Sequence, residues 1–208
     1  AIVQEYIDLA KEYSVLYYKY MDGSYGLSSL IEKKYPVVTG DGNKEIHTLI
    51  DEYPHAYLNK EEVKKMHSNR VLAKDENLVL HYIGNYSRGS TFHSMQQEID
   101  EDLIKAIHAC IGDIEGISFG RLDIKASDFK TIKKGVFKII EFNGGKSEPL
   151  HIYDKEVSLW QAIKIIFGHW KIYNKIADER LSQGYKTIPI SEGVKALKNI
   201  KSITKKKR

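Results

Sequence analysis

Gly120-Arg121-Leu122-Asp123-Ile124 and Ile139-Ile140-Glu141-Phe142-Asn143-Gly144-Gly145 carry the decisive pattern of this chain. Both runs alternate side chains with the period of two that marks a β-strand with unlike faces. On the first, Arg121 and Asp123 share one face while Leu122 and Ile124 take the other; on the second, Glu141 and Asn143 lie opposite Ile140 and Phe142. The polar connection between them ends in Gly135, which predicts an antiparallel pair joined by a longer loop. Pairing Asp123 with Glu141 would bring two carboxylates, an amide oxygen and a guanidinium onto one patch.

Two carboxylates that close repel each other unless a cation lies between them. Mg²⁺ suits such a patch, since it takes a few carboxylate oxygens and completes its octahedron with water and phosphate. Arg121 would then serve anionic oxygens rather than the metal. The same residues would equally form a ladder of cross-strand ion pairs on an exposed sheet, and spacing alone leaves both readings open. Gly144 and Gly145 fit either a tight turn that uses positive φ or a close approach of backbone amides to an anion.

Working outward, the segment from Ala1 to Val38 is β-rich, with a Tyr-heavy run at 15–20 and a turn at 23–26. It predicts an antiparallel meander. Thr39-Gly40-Asp41-Gly42-Asn43 is a turn cluster expected to cap a helix over 45–52, and a second helix is expected over 60–68. A strand over 78–83 leads into the loop Gly84-Asn85-Tyr86-Ser87-Arg88-Gly89-Ser90-Thr91. Leu103, Ile104, Ile107 and Ile111 then mark an amphipathic helix stopping at Gly112. The longest helix is expected from Asp154, as N-cap, to Leu181, with Gly184 beyond its end. Leu159, Ile163, Ile166, Phe167, Trp170 and Ala177 form its expected buried stripe, packed on the sheet face opposite the carboxylates. The fold class is therefore α+β, a mainly antiparallel sheet with flanking helices.

The 208 residues, 42% of them hydrophobic, suffice for one ordinary domain or two small lobes. Five of the 32 Lys and Arg residues lie in the last eight positions, leaving 27 against 28 acidic residues in the body. No basic face for nucleic acid is expected from that balance, and the tail reads as a solvated end. Cys110 is the only cysteine, so no intrachain disulfide can form and a reducing, cytoplasmic setting is expected. No apolar run approaches the roughly 20 residues of a membrane span, and no signal-peptide pattern opens the chain. It begins at Ala1 within a strand-like segment, so a preceding part of the protein is expected to lie outside it. The eight histidines show no zinc-site spacing with cysteine. His169 is expected to pack or lie on the surface; His151 could serve a substrate or stabilise its loop.

The Arg-x-Asp strand followed by Glu141-Phe142-Asn143-Gly144 resembles the end of the ATP-grasp domain in D-alanine–D-alanine ligases. With Ser147-Glu148-Pro149-Leu150-His151-Ile152-Tyr153-Asp154 attached, the chain is more similar to a largely uncharacterised ATP-grasp group in which such a run precedes a long Trp-containing helix. The resemblance implies Asp123, Glu141 and Asn143 as ligands of Mg²⁺ or Mn²⁺ on ATP phosphates, with Arg121 steadying the transferred phosphoryl group. Val3-Gln4-Glu5-Tyr6-Ile7 with Glu12 is similar to the hinge strand that reads adenine and the later Glu that holds ribose. Gln4 departs there from the Glu of D-alanine ligases. Pro36-Val37-Val38-Thr39-Gly40-Asp41-Gly42 looks like the Gly-Asp-Gly turn of cyanophycin-synthetase-type members, and Asn85-Tyr86-Ser87-Arg88-Gly89 resembles their loop beside the phosphates. Arg88 is thus a candidate clamp, with a solvated arginine as the alternative, and Ser147 and His151 are candidates for substrate binding.

What the resemblance implies is residues 1–184 as the C-terminal portion of an ATP-grasp domain, with the substrate domain and the lysine-bearing lobe upstream. Residues 185–208 are expected to add a helix and a basic tail. The implied activity is an ATP- and Mg²⁺-dependent carboxylate–amine ligase working through an acyl-phosphate on small-molecule substrates. A kinase on the same scaffold, and a nucleotide- and metal-binding module without activity, remain open beside it. So does a homodimer.

Overall fold

The computed structural model describes residue 3 and residues 5–205, and no side chain at 197 or from 199 onward. Five strands, β1 (Lys11–Lys19), β2 (Tyr25–Lys34), β5 (Thr91–Ser94), β6 (Phe119–Ala126) and β7 (Lys138–Asn143), make one antiparallel sheet in the order β5-β2-β1-β6-β7. A two-stranded sheet of β3 (Val37–Thr39) and β4 (Asn77–Val79) stands beside α1 (Ile46–Glu52) and α2 (Lys60–Met66). The helices α3 (Glu101–Ile111), α4 (Phe129–Lys133), α5 (Leu159–Ser182) and α6 (Ile190–Lys205) complete the described elements. The α+β architecture with a mainly antiparallel sheet is as expected.

Alternation along β1 and β6 divides the sheet into two unlike faces. Tyr13, Val15 and Tyr17 of β1, with Leu122 and Ile124 of β6, pack against Leu103, Ile107 and Ile111 of α3 and Ile132 of α4. Each aliphatic side chain fully buried there contributes about 1.5–3 kcal/mol through lost water contact. Asp100 fixes the start of α3 by accepting from the Leu103 amide, the N-cap role its short carboxylate suits. A second cluster, Val38, Ile46, Ile50, Leu58, Val63, Leu72 and Leu80, holds the small sheet to α1 and α2.

The opposite face carries Glu12, Ser14, Leu16, Arg121 and Asp123. α5 lies on this face and not on the expected one: its Ile176 packs with Leu16 and Phe119. The far side is already filled by α3 and α4, so the long helix takes the apolar end of the site face. The expected stripe holds only in part, with Ile163, Ile166 and Ala177 half-buried. Leu159, Phe167 and Trp170 are 73%, 57% and 55% exposed, while His169 and Ile176 are the buried positions. The N-cap is Ser158, not Asp154, because Ser158 and Gln161 close a reciprocal capping box. Asp154 instead accepts the Ser94 amide, tying the loop before α5 to β5.

Other local expectations shift for physical reasons. The described residues before β1 form no strand, and the expected strand over 78–83 shortens to β4. Asp41 accepts from the Asn43 and Lys44 amides in a turn of its own, while Glu45, the N-cap of α1, makes no side-chain cap. Gly40 is needed for close approach, since a Cβ there would overlap the Ala73 carbonyl. Gly144 and Gly145 have no positive φ, so they do not make the left-handed turn their pairing suggests.

Candidate functional site

The register places every member of the decisive pattern. Asp123 lies opposite Glu141 and Arg121 opposite Asn143 across β6 and β7, with a bulge following at Ile124. On the other flank Asp123 faces Ser14 of β1, and Glu12 faces both Lys125 of β6 and Lys33 of β2. All of these except Ser14 and Ile124 floor a cleft of about 860 Å³, also lined by Glu5, Tyr6, Ile7, the loop from Tyr82 to Ser87, and Phe92, Ile140, Glu148, Leu150 and Tyr153. Ile140, expected on the face opposite Glu141, joins this lining because it is the extra residue of the bulge between Ile139 and Glu141. Lys125 and Arg121 are four residues apart on one strand, which sets the ends of the floor about 13 Å from each other.

Electrostatically the floor is a buried alternation of charges. The Lys33 ammonium donates to Glu12 Oε1 at 2.9 Å and Asp123 Oδ2 at 2.8 Å, with the Lys33 side chain 4% exposed. Ser14 Oγ donates to Asp123 Oδ1 at 2.5 Å, and Arg121 Nε approaches the same oxygen at 3.3 Å. Tyr35 donates to Glu12 Oε2 at 2.8 Å, and burial, followed by the charge of Glu12, pushes the Tyr35 hydroxyl well above its ordinary pKa. Gly84 closes over this group so tightly that a Cβ would overlap the Glu12 carboxylate. At the hinge-side end, Lys125 donates to the Ile7 carbonyl at 3.1 Å and stands 5.4 Å from the Tyr6 ring centroid. Gln4 lies outside the described residues.

The donor set fits a hard divalent cation. It is all oxygen, and Glu141 is exposed and takes no part in the ion pairs around Asp123. Asn143 buries its amide nitrogen without a hydrogen-bond partner. A half-turn of that amide would put its oxygen in the orphaned position, where a cation would satisfy it. Among the described residues no three of His, Cys, Asp and Glu are grouped as a ready-made metal cage.

Three expected site residues stand elsewhere. Arg88, on the short turn 86–88, reaches Glu62 at 3.5 Å and lines a separate hollow near α2. Ser147 is buried, with its hydroxyl donating to the Asn143 and Gly144 carbonyls at 2.6 Å. His151 is buried against Ser29 Oγ at 2.8 Å, and burial, reinforced by nearby His169, lowers its pKa to about 4. His169 meets the Ser147 carbonyl at 3.1 Å. Ser147, His151 and His169 therefore brace the segment behind β7 and do not line the cleft. The residues missed in the sequence are Lys33, Ser14 and Lys125. Lys33 was findable in principle, since Ser29, Ile31 and Lys33 share a strand face, but nothing local shows that this face meets Asp123.

Fold and cleft together define an α+β lobe whose sheet floor carries opposed carboxylates, lysines and an arginine. No protein-family model matches the chain, and no curated protein matches it. Among solved structures it is similar to a bifunctional glutathione synthetase from Pasteurella multocida, at 20% identity and a TM-score of 0.48, over 77% of this chain and 25% of that one. The chain thus spans about a quarter of that protein's length. No helix among the described residues is long and apolar enough to cross a membrane.

Proposed function

We propose that this chain is the nucleotide- and metal-binding lobe of an ATP-grasp enzyme that joins a carboxylate to an amine through an acyl-phosphate. The observation that carries the reading is the register of Asp123 on Glu141 and Arg121 on Asn143, at the floor of a cleft of nucleotide size. The hinge-like residues Glu5, Tyr6 and Ile7 border one end of that cleft and Arg121 the other, the order in which adenine and the reacting phosphate would lie.

Asp123, Glu141 and Asn143 would hold Mg²⁺ or Mn²⁺. A bound cation would supply neutralisation of phosphate charge and a fixed position for its oxygens. The protein's own share is positioning and electrostatics, as phosphoryl transfer requires. Arg121, only partly exposed beside Asp123, directs a guanidinium at charge moving onto the transferred group. Glu12, held by Lys33 and Tyr35, lines the same cleft, where its remaining lone pairs would accept from ribose hydroxyls.

Isothermal titration with ATP in Mg²⁺, and again in chelator, tests the reading. Binding that requires Mg²⁺ and falls roughly tenfold or more in Glu141→Gln supports it; metal-independent binding, unaffected by that variant, refutes it. In a chain that turns over, free phosphate with an amide product marks the ligase, while a phosphorylated product would mark a kinase.

A further inference from the structure

Lys33 is a buried ammonium on the floor of a cleft whose function calls for a metal. An ionised carboxylate offers about four acceptor positions. On Asp123, Ser14 and Arg121 approach Oδ1, and Lys33 takes Oδ2 at 2.8 Å. The carboxylate on which a metal would depend is therefore already neutralised by a protein cation, with about one acceptor position left. The same ammonium holds Glu12 at 2.9 Å, and both ion pairs are buried, with side-chain exposures of 4–6%, where water screens them little. A divalent ion arriving alone would find Glu141 exposed and Asp123 occupied. Nucleotide phosphates change that balance, because they bring further oxygen ligands to the ion and negative charge toward the third N–H of Lys33.

Resting on the nucleotide-and-metal reading above, we propose that Lys33 is the resident counter-cation of this floor and makes divalent-metal binding depend on nucleotide. It holds Asp123 and Glu12 together before a metal arrives. The metal enters with the phosphates instead of ahead of them. Lys33 is in this sense a positioning residue that sets the order of loading.

The test is equilibrium dialysis of Mn²⁺ against the full chain, reading the metal retained with the protein with and without ATP, since ATP itself chelates Mn²⁺ and lowers the free ion without any protein. Wild-type protein should bind Mn²⁺ with ATP present and roughly tenfold or more weakly without it. Lys33→Met combined with Glu12→Gln removes one charge of each sign and leaves Asp123 held by Ser14 and Arg121. That variant should bind Mn²⁺ alone roughly tenfold or more tightly than wild type. Lys33→Arg, which keeps the cation, should retain the dependence on ATP.

Near-UV circular dichroism checks the fold of each variant. Should the double variant not fold, Asp123→Asn decides: it should weaken binding with ATP and leave binding of Mn²⁺ alone unchanged. Unchanged metal-alone affinity in a folded double variant overturns the proposal, as does tight Mn²⁺ binding by wild type that Asp123→Asn abolishes. A wild-type chain that binds neither Mn²⁺ nor MnATP overturns the nucleotide reading, and the role of Lys33 with it.

Discussion

Asp123 is 4% exposed, with Ser14, Arg121 and Lys33 on its carboxylate, whereas Glu141 is exposed and outside that network. In the sequence the two look alike, each an acidic residue on a polar strand face, and both would be expected to be dispensable for folding. Burial separates them. Removing one partner of a buried ion pair costs about 3 kcal/mol, and for a chain of this size each kcal/mol moves the melting temperature by about 2–4 °C. Asp123→Asn should therefore lower the metal-free melting temperature by roughly 6–12 °C, and Glu141→Gln should leave it within about 2 °C. Scanning calorimetry in chelator checks both, and an equal fall in the two would mean that Glu141 is also a structural ion-pair partner. Arg121 is separable in a different way. Lysine there keeps the charge but loses the planar fork, so Arg121→Lys in the active enzyme should cut kcat roughly tenfold while the apparent affinity for ATP stays within a few-fold. A raised KM at normal kcat would make Arg121 a ground-state phosphate contact.

α5 shows why periodicity finds an element more readily than it finds the element's partner. The apolar spacing marks a long helix, and α5 runs from Leu159 to Ser182. The side it buries is set by the ground left free on the sheet, since α3 and α4 cover one face and the charged floor occupies most of the other. The end around Leu16 and Phe119 is apolar, and α5 meets it through Ile176, with His169 reaching back to Ser147. The histidines in this brace give the fold a pH dependence with a definite sign. His151 is held neutral, its pKa lowered to about 4 first by burial and then by His169, and burial lowers that of His169 too. In the unfolded chain both protonate near pH 6.5, so below that pH the unfolded state binds more protons and stability falls as pH falls toward 4. From pH 7 to pH 5 the His151 share is about 2 kcal/mol. His151→Gln should flatten that part of the melting-temperature profile, leaving the smaller slope due to His169; an unchanged slope would place the titration elsewhere.

At the scale of the whole chain, the site joins segments far apart in sequence: β1 and β2 bring Glu12, Ser14 and Lys33 to the Asp123 that β6 delivers about a hundred residues later. Nucleotide binding should stabilise that convergence as a unit. At a MgATP concentration one hundred times its dissociation constant, mass action contributes about 2.7 kcal/mol, or roughly 5–10 °C in melting temperature. ATP in chelator should contribute little of this. A shift of the same size without the metal would detach the nucleotide from the Asp123–Glu141 patch.

The sequence by itself determined the faces of β6, the antiparallel pairing of β6 with β7, and the grouping of Arg121, Asp123, Glu141 and Asn143, because alternation along a strand and short-range pairing are local properties; the bulge that turns Ile140 toward the cleft was not among them. It also determined where most helices lie, since apolar spacing is local too. Only the tertiary structure decided that Lys33 neutralises Asp123, that Arg88, Ser147 and His151 stand outside the cleft, and that α5 shares the site face. Each of those depends on which surfaces remain uncovered once the sheet has assembled, and on contacts such as Lys33 with Asp123 that are 90 residues apart in the chain. No pattern within a single element specifies them.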